Sequence, residues 1–163
     1  MKLDLIITGF LLLTCSAGEA GEPKIWISEG TLRFHSIGKY GTPLVGTALS
    51  YGITDDLQIG LRPMLSMSGN KDYLAAFFAR RFFSENRQHI FLELSGAYNY
   101  IDRSGWRPSF SADVGYIHKT SGDVGFGGSA GVEAVPNSTA DINFPETGLY
   151  AYPRIAAIIC FDF

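Results

Sequence analysis

The chain has 163 residues, of which 13 are Lys or Arg and 16 are Asp or Glu, giving a formal net charge of −3. Only 18% of the residues are charged, while 46% are hydrophobic and 13% aromatic. This composition excludes a disordered chain, and it excludes a nucleic-acid module that binds through a basic face. The chain has only two cysteines, which excludes a disulfide scaffold, and its 19 glycines follow no fixed period, which excludes a collagen-like repeat.

The first 20 residues have the features of a secretory signal peptide. Lys2 supplies the positive charge, and the apolar stretch after it ends at small residues that suit cleavage after Ala17 or Ala20. That stretch is shorter than the roughly 20 residues that a membrane-spanning helix needs. We therefore expect a signal peptide over residues 1–20 and one exported domain over residues 21–163, in which Cys160 is the remaining cysteine.

Alternating polar and apolar residues dominate the rest of the chain and predict β-strands. Over residues 90–100, for example, Leu92 and Leu94 share one face while Glu93 and Ser95 share the other. The apolar run 73–83 also predicts a strand, although a short buried helix remains the alternative there. Turn-forming residues separate the predicted strands, which cover residues 24–35, 43–52, 57–67, 73–83, 89–101, 107–118, 123–134 and 149–163.

Eight strands are the smallest number found in bacterial outer-membrane barrels, and about 9–11 tilted residues cross a bilayer. The predicted fold is all-β, an eight-stranded antiparallel up-and-down transmembrane β-barrel. A soluble periplasmic lipocalin-like carrier is the alternative, because it buries its apolar face where a membrane barrel exposes it.

Three features favour the membrane barrel. The polar face is rich in Gly and Ser, which suit a narrow lumen. Short turns alternate with longer connections, and the longest connection, Pro136–Gly148, falls on the side expected to be extracellular. Aromatic residues gather at both expected rims, as membrane interfaces require. They are Trp26, Tyr51, Phe82, Phe83, Tyr116 and Phe163 at the inner rim, and Phe34, Tyr73, Tyr98, Tyr100, Trp106 and Tyr150 at the outer rim.

Pro63, Pro108 and Pro153 fall inside predicted strands, where each removes a hydrogen bond of the ladder. Because a closed barrel has no edge strand, we expect bulges at these positions. A bulge at Pro153 would turn Tyr150 and Tyr152 towards lipid.

The last strand resembles the C-terminal assembly signal of bacterial outer-membrane proteins. Its residues Ile155, Ile159, Phe161 and Phe163 alternate, and the chain ends on phenylalanine. Residues 49–60 are also similar to hairpins of the small OmpA/OmpX-like barrel families. The resemblance implies insertion by the outer-membrane assembly machinery and a place in the bacterial outer membrane, in contact with its lipid and lipopolysaccharide. It implies no particular activity.

Charged residues on the polar face are expected to point into the lumen. Charge buried away from water must be paired, so we interpret these residues as an ion-pair network that fills a solid barrel. A selective pore or gate is the alternative, although the interior of an eight-stranded barrel is only just wide enough for side chains. The residues are Glu29, Arg33, Arg62, Glu93, Asp113, Glu133, Arg154 and Asp162.

One pair of residues is a candidate for catalysis. His35 and Ser36, near the outer rim, could act as base and nucleophile of a lipid A acyl hydrolase or acyltransferase, with Asp72 or Asp102 nearby. The sequence lacks the His-x-Ser pair of the lipid A deacylases. No His/Cys cluster has the spacing of a metal site, and we predict no cofactor.

We therefore predict a non-catalytic, monomeric barrel with a structural or surface-interaction role and no nucleic-acid partner. Its other outer loops are short. The best candidate contact surface is the connection Pro136–Gly148, which carries Asp141, Phe144 and Glu146.

Overall fold

The computed structural model describes residues 26–35, 42–54, 56–67, 72–83, 90–101, 104–120, 124–137 and 146–162. Each strand pairs antiparallel with the next, and the last pairs with the first, so the predicted closed up-and-down barrel is confirmed. No helix in this part of the chain is long and apolar enough to cross a membrane. The strands are β1 Trp26–His35, β2 Thr42–Gly52, β3 Leu57–Ser66, β4 Tyr73–Phe82, β5 Ile90–Ile101, β6 Gly105–Lys119, β7 Val124–Asn137 and β8 Gly148–Asp162.

The segment with the ambiguous pattern is a strand. In β4, Leu74 and Phe78 are buried while Tyr73 and Phe77 are exposed. Both faces of β4 are apolar, so its period of two is invisible in the residue types and appears only in the burial pattern.

The barrel has two distinct ends. We call the end where β1 begins and β8 stops the terminal end, and the opposite one the loop end. Strands β6, β7 and β8 contain 15, 14 and 15 residues, whereas β1 contains 10. The β7–β8 ladder runs to the pair Asn137↔Gly148, but the β8–β1 ladder stops at His35↔Arg154, so the β7–β8 hairpin extends further at the loop end.

The polar face of the strands is buried and the apolar face is exposed. Glu93, Ser95 and Asn99 of β5 are buried, while Ile90 and Leu94 on its other face are 53% and 55% exposed. Among the described strand residues whose alternation places them outside, only Arg81 and His118 have acidic or basic side chains. Both lie near the terminal end. A lipocalin-like carrier needs the opposite arrangement, so that alternative is wrong.

The predicted bulges are absent at the three prolines. The register of β7 with β8 runs without a break through Val132↔Pro153, so Tyr150 and Tyr152 keep the inward face of Arg154. Instead of causing a bulge, each proline lies where one of its two ladders is interrupted or has ended. The β2–β3 ladder skips the position of Pro63, and the β8–β1 ladder stops one residue before Pro153.

The aromatic belts differ from the prediction at two residues. Tyr73, Tyr100 and Trp106 pack in series on the outside of β4–β6 at the loop end, with ring centroids 5.8 and 5.5 Å apart. Phe82 instead points inwards and is 4% exposed. Tyr150 stacks on Tyr152 against buried lumen residues, because the missing bulge leaves both on the inward face.

Candidate functional site: the charged lumen

Two arginines and two glutamates interlock at the middle of the lumen. Arg62 on β3 donates to Glu93 Oε1 and to Glu29 Oε1, both at 2.7 Å. Arg80 on β4 donates to Glu29 Oε2 and to Glu93 Oε2, also at 2.7 Å. Each carboxylate therefore bridges both guanidinium groups, which ties β1 to β3, β4 and β5 across the barrel. We call these four side chains the central quartet.

Two phenylalanine rings support the central quartet. The Arg62 guanidinium lies 4.3 Å from the Phe78 ring centroid, and Arg80 lies 4.4 Å from that of Phe91. A cation over an aromatic face is stabilised by the ring quadrupole, most strongly where water is excluded.

Each of these rings covers a glycine on the neighbouring strand. Phe78 pairs with Gly60, and Phe91 pairs with Gly115. A Cβ atom at Gly60 would meet Phe78 Cζ at 2.5 Å and the Leu49 carbonyl oxygen at 2.8 Å. The missing side chain thus makes the room in which the ring lies flat against the wall.

A second group of polar side chains joins β5 to β6, β7 and β8. Arg154 donates to Asp113 through two nitrogens, and its Nη1 lies 3.5 Å from Glu133 Oε2. Ser109 donates to Glu133 Oε1 at 2.6 Å, and Asn99 donates to the Ser109 hydroxyl at 2.6 Å. We call this set the β6–β8 cluster.

The buried charges of the lumen balance. Arg33, Arg62, Arg80 and Arg154 stand against Glu29, Glu93, Asp113 and Glu133, each at most 4% exposed. Arg33 makes no hydrogen bond or ion pair with another described residue, and its buried Nη1 has no partner. Its charge is repelled through space by Arg62 and attracted through space by Glu133 and Glu93. The lumen core is therefore neutral as a set, although not every member is directly paired.

Apolar side chains pack at both ends of the polar section. Phe82, Phe91, Ile117, Ile158 and Cys160 pack together towards the terminal end. Towards the loop end, Ile101 and Val135 pack with Tyr150 and Tyr152, and Leu44 packs with Met64 and Leu74.

The same architecture occurs in solved membrane proteins. The chain matches the N-terminal β-barrel domain of Pseudomonas aeruginosa OprF with a TM-score of 0.57 and 14% sequence identity, over 85% of this chain and 97% of that one. It matches Neisserial surface protein A with a TM-score of 0.55 and 10% identity, over 89% of this chain and all (100%) of that one. The chain has the fold of the small eight-stranded outer-membrane barrels. The sequence matches no protein-family model and no curated protein.

Within this outer-membrane fold, the structure places seven of the expected lumen residues on the inside and brings six of them into the two clusters. Asp162 is the last residue of β8, and its side chain lies outside the described part of the structure. Sequence reasoning missed Arg80, which contacts both glutamates of the central quartet. Its neighbours of the same parity, Phe78 and Phe82, are apolar, so the residue types of β4 gave no signal that this parity faces the lumen.

The candidate catalytic pair cannot be assembled from the described residues. His35 ends β1, but its side chain lies outside them, as does all of Ser36. The surface-loop residues Asp141 and Phe144 also lie outside. Glu146 is described and exposed, and its backbone is held by neighbouring side chains.

The C-terminal residues expected to guide assembly lie on the outer face of β8. Ile155, Ile159 and Phe161 are 59%, 42% and 42% exposed, and Phe161 pairs with Ser28 of β1 and Val124 of β7. Phe163 lies outside the described residues.

A smaller polar group braces the barrel at the terminal end. The Thr54 hydroxyl donates to Asp56 at 2.6 Å, and Arg81 Nε donates to the same carboxylate at 3.1 Å. The hydrogen bond from Thr54 is the main cause that lowers the pKa of the Asp56 carboxyl below its usual value, and Arg81 lowers it further. This contact joins the β2–β3 turn to β4 at a position that is exposed to solvent.

Proposed function

We propose that this chain is an integral protein of a bacterial outer membrane, with a structural or surface-interaction role and no catalytic activity. The observation that carries the proposal is the inverted polarity of the barrel. Eight charged side chains are buried inside, whereas the outward face between the rims consists of apolar and small residues. In water such a surface would aggregate, and in a bilayer it is the surface that lipid requires.

The proposed lumen is a packed interior and not a pore. Selective channels line their path with charges of one sign or with carbonyl rings. Here four positive and four negative side chains are buried, and seven of them form close ion pairs or hydrogen bonds with one another. Apolar clusters lie at both ends of this polar section. This arrangement supports a role in holding the barrel together.

The connection between β7 and β8 is the proposed contact surface, facing outwards from the cell. Its base is fixed by three hydrogen bonds to the Glu146 backbone. Asn137 Nδ2 donates to the Glu146 carbonyl at 2.9 Å, Tyr150 Oη donates to the same oxygen at 2.8 Å, and Glu146 N–H donates to Tyr150 Oη at 2.9 Å. A loop held at its base loses less entropy on binding a partner.

Lipid and lipopolysaccharide are the proposed surroundings of the barrel, which we take to be a monomer. The alternating apolar face of β8 supports recognition by the outer-membrane assembly machinery. Phe163, at the end of this strand, would be part of that signal.

Epitope insertion in two connections tests both location and orientation. A tag inserted between residues 141 and 142 should be labelled by antibody on intact cells. The matched tag between residues 86 and 87, in a connection at the terminal end, should be labelled only after the outer membrane is permeabilised. Both proteins should sediment with the outer membrane and migrate faster on gels when unheated. Labelling of the 86–87 tag alone on intact cells would reverse the orientation, and a detergent-independent soluble protein would refute the proposal.

A further inference from the structure

The β6–β7 ladder stops early at the loop end. Its last pair is Phe110↔Ala134, yet β6 continues to pair with β5 as far as Gly105, and β7 continues to pair with β8 as far as Asn137. Among the ladders that the described residues form, this is the one in which both strands run on well beyond their last pair. We call residues 105–109 of β6 and 135–137 of β7 the wall gap.

Two opposed prolines cause the wall gap. Extending the register of β6 with β7 beyond Phe110↔Ala134 places Pro108 opposite Pro136. Each proline stays in register with its other neighbour, through Tyr98↔Pro108 and Pro136↔Leu149. A residue without an N–H fits such a continuous ladder only if that N–H would have pointed the other way. Both missing donors therefore face the gap, and the two strands cannot exchange hydrogen bonds there.

The carbonyl groups of the prolines face the same gap. In an antiparallel strand, the N–H and C=O of one residue point to the same side. The Pro108 and Pro136 carbonyls therefore point at each other's strand, where the usual N–H partner is missing. In the apolar part of a membrane, an unsatisfied backbone group costs several kcal/mol.

The surroundings of the wall gap are apolar on the outer face and polar on the inner face. Phe110 and Leu149, next to the gap on the outer face, are 62% and 71% exposed. Directly behind it, Ser109 donates to Glu133, which leaves the Ser109 hydroxyl already committed as a donor. The buried Asn99 Oδ1, an acceptor, has no hydrogen-bond partner. The outer side of the gap therefore offers an apolar surface for a chain, beside two proline carbonyls that face no ladder N–H.

We propose that the wall gap binds an outer-leaflet lipid that carries amide N–H and hydroxyl donors beside its acyl chains, the chemistry of lipid A. The donors would satisfy the proline carbonyls, and an acyl chain would lie along Phe110 and Leu149. This inference rests on the proposed membrane location and on the loop end facing outwards. It assigns the lipid a specific binding site, whereas the aromatic belt contacts any lipid.

Restoring the missing donors tests the proposal. The double variant P108A/P136A supplies two N–H groups that can close the β6–β7 ladder, and the control P63A restores one donor to the interrupted β2–β3 ladder. All variants carry W26F, so that Trp106, 55% exposed and next to the gap on β6, is the single tryptophan. Lipid A is titrated into barrels in phosphatidylcholine bicelles while Trp106 emission is followed. The parent and P63A proteins should give a saturable change, and P108A/P136A should need at least a tenfold higher lipid A concentration.

The remaining arms separate the sources of any response. Phosphatidylethanolamine, which carries an ammonium donor but no acyl amide, should give no saturable change. L149N, which leaves the ladder alone, should weaken lipid A binding severalfold by removing the apolar flank. The proposal is overturned if P108A/P136A and L149N respond to lipid A as the parent does. It is also overturned if the parent responds to phosphatidylethanolamine as it does to lipid A. If the parent barrel inserts into the bicelles and lipid A changes nothing, the lipid site is wrong while the membrane location stands. If the barrel does not insert, the proposed function fails.

Discussion

Arg62 and Arg33 both lie in the lumen, and each residue is 2% exposed, but the surroundings of their guanidinium groups differ. Arg62 is bound by both glutamates of the central quartet and lies over the Phe78 ring. Arg33 is repelled through space by Arg62 and attracted by acidic groups only through space, and one of its nitrogens is unpaired. A buried charge is favourable only where hydrogen bonds and opposite charges replace its hydration. The two residues therefore contribute differently to stability.

Replacing each of these arginines by methionine separates the two cases. Arg62→Met leaves Glu29 and Glu93 short of partners and should destabilise the barrel by about 3–5 kcal/mol, the usual cost of breaking a buried pair. Arg33→Met removes a charge that has no direct partner among the described residues and should cost less than Arg62→Met. Urea unfolding in phospholipid vesicles, followed by tryptophan fluorescence, measures both. Equal losses would show that the charge counts and the contacts do not.

At the residue scale, the sequence predicts which charges face inwards wherever the strand pattern is clear. Glu93 and Asp113 lie among apolar residues of the opposite parity, so their side of the strand can be read directly. Arg80 was missed because its strand is apolar on both faces, and its neighbours Phe78 and Phe82 resemble lipid-facing residues. The pairing partners are a different matter, since Glu29 and Arg80 meet across the lumen from positions 51 residues apart.

Among the elements, β8 has the role of closing the barrel. Its residues Asp162 to Arg154 pair with Ile27 to His35 of β1, which removes the open edge that lipid cannot satisfy. The outer face of β8 at the terminal end carries Ile159 and Phe161, and Phe163 continues the same parity.

Deleting Phe163 should therefore impair assembly, although it removes no residue of the described strand pairs. We expect a large fall in heat-modifiable, membrane-inserted protein and a matching rise in protease-sensitive periplasmic material. Phe163→Tyr is the matched control and should assemble normally, because an amphipathic ring suits the membrane interface. Fractionation followed by gel migration with and without heating gives the result. Normal assembly of the deletion variant would remove the C-terminal residue from the assembly signal.

The strands could be predicted because polar and apolar residues must alternate in a strand that has one face towards lipid and the other towards the lumen. The effect of the prolines on the ladders could not be predicted. The sequence locates Pro108 and Pro153 inside strands, and a closed ladder then requires a bulge. The structure avoids bulges because the ladders of the longer strands β6–β8 need not end at the same height. Which ladder ends beside which proline depends on register, and register is a property of strand pairs and not of one strand.

For the whole molecule, the packing of the lumen predicts that the barrel conducts no ions. Purified barrel in a planar bilayer should show no resolved single-channel steps, because apolar clusters lie at both ends of the polar section. Phe82→Gly/Phe91→Gly, which removes two rings from the cluster towards the terminal end, should introduce steps if the variant inserts. Steady steps in the unaltered protein would mean that ions pass between these clusters, and the packed-lumen proposal would be wrong.

The distribution of the buried charges over the four hairpins also constrains how the barrel is built. The hairpin β1–β2 carries Glu29 and Arg33, and β7–β8 carries Glu133 and Arg154, so each is neutral in its buried charge. By contrast, β3–β4 carries two positive groups, Arg62 and Arg80, and β5–β6 carries two negative groups, Glu93 and Asp113. Moving an unpaired ion from water into lipid costs several kcal/mol even after relaxation. A route that releases these middle hairpins into the bilayer one at a time is therefore disfavoured, and β3 to β6 should enter as one four-stranded unit whose charges cancel.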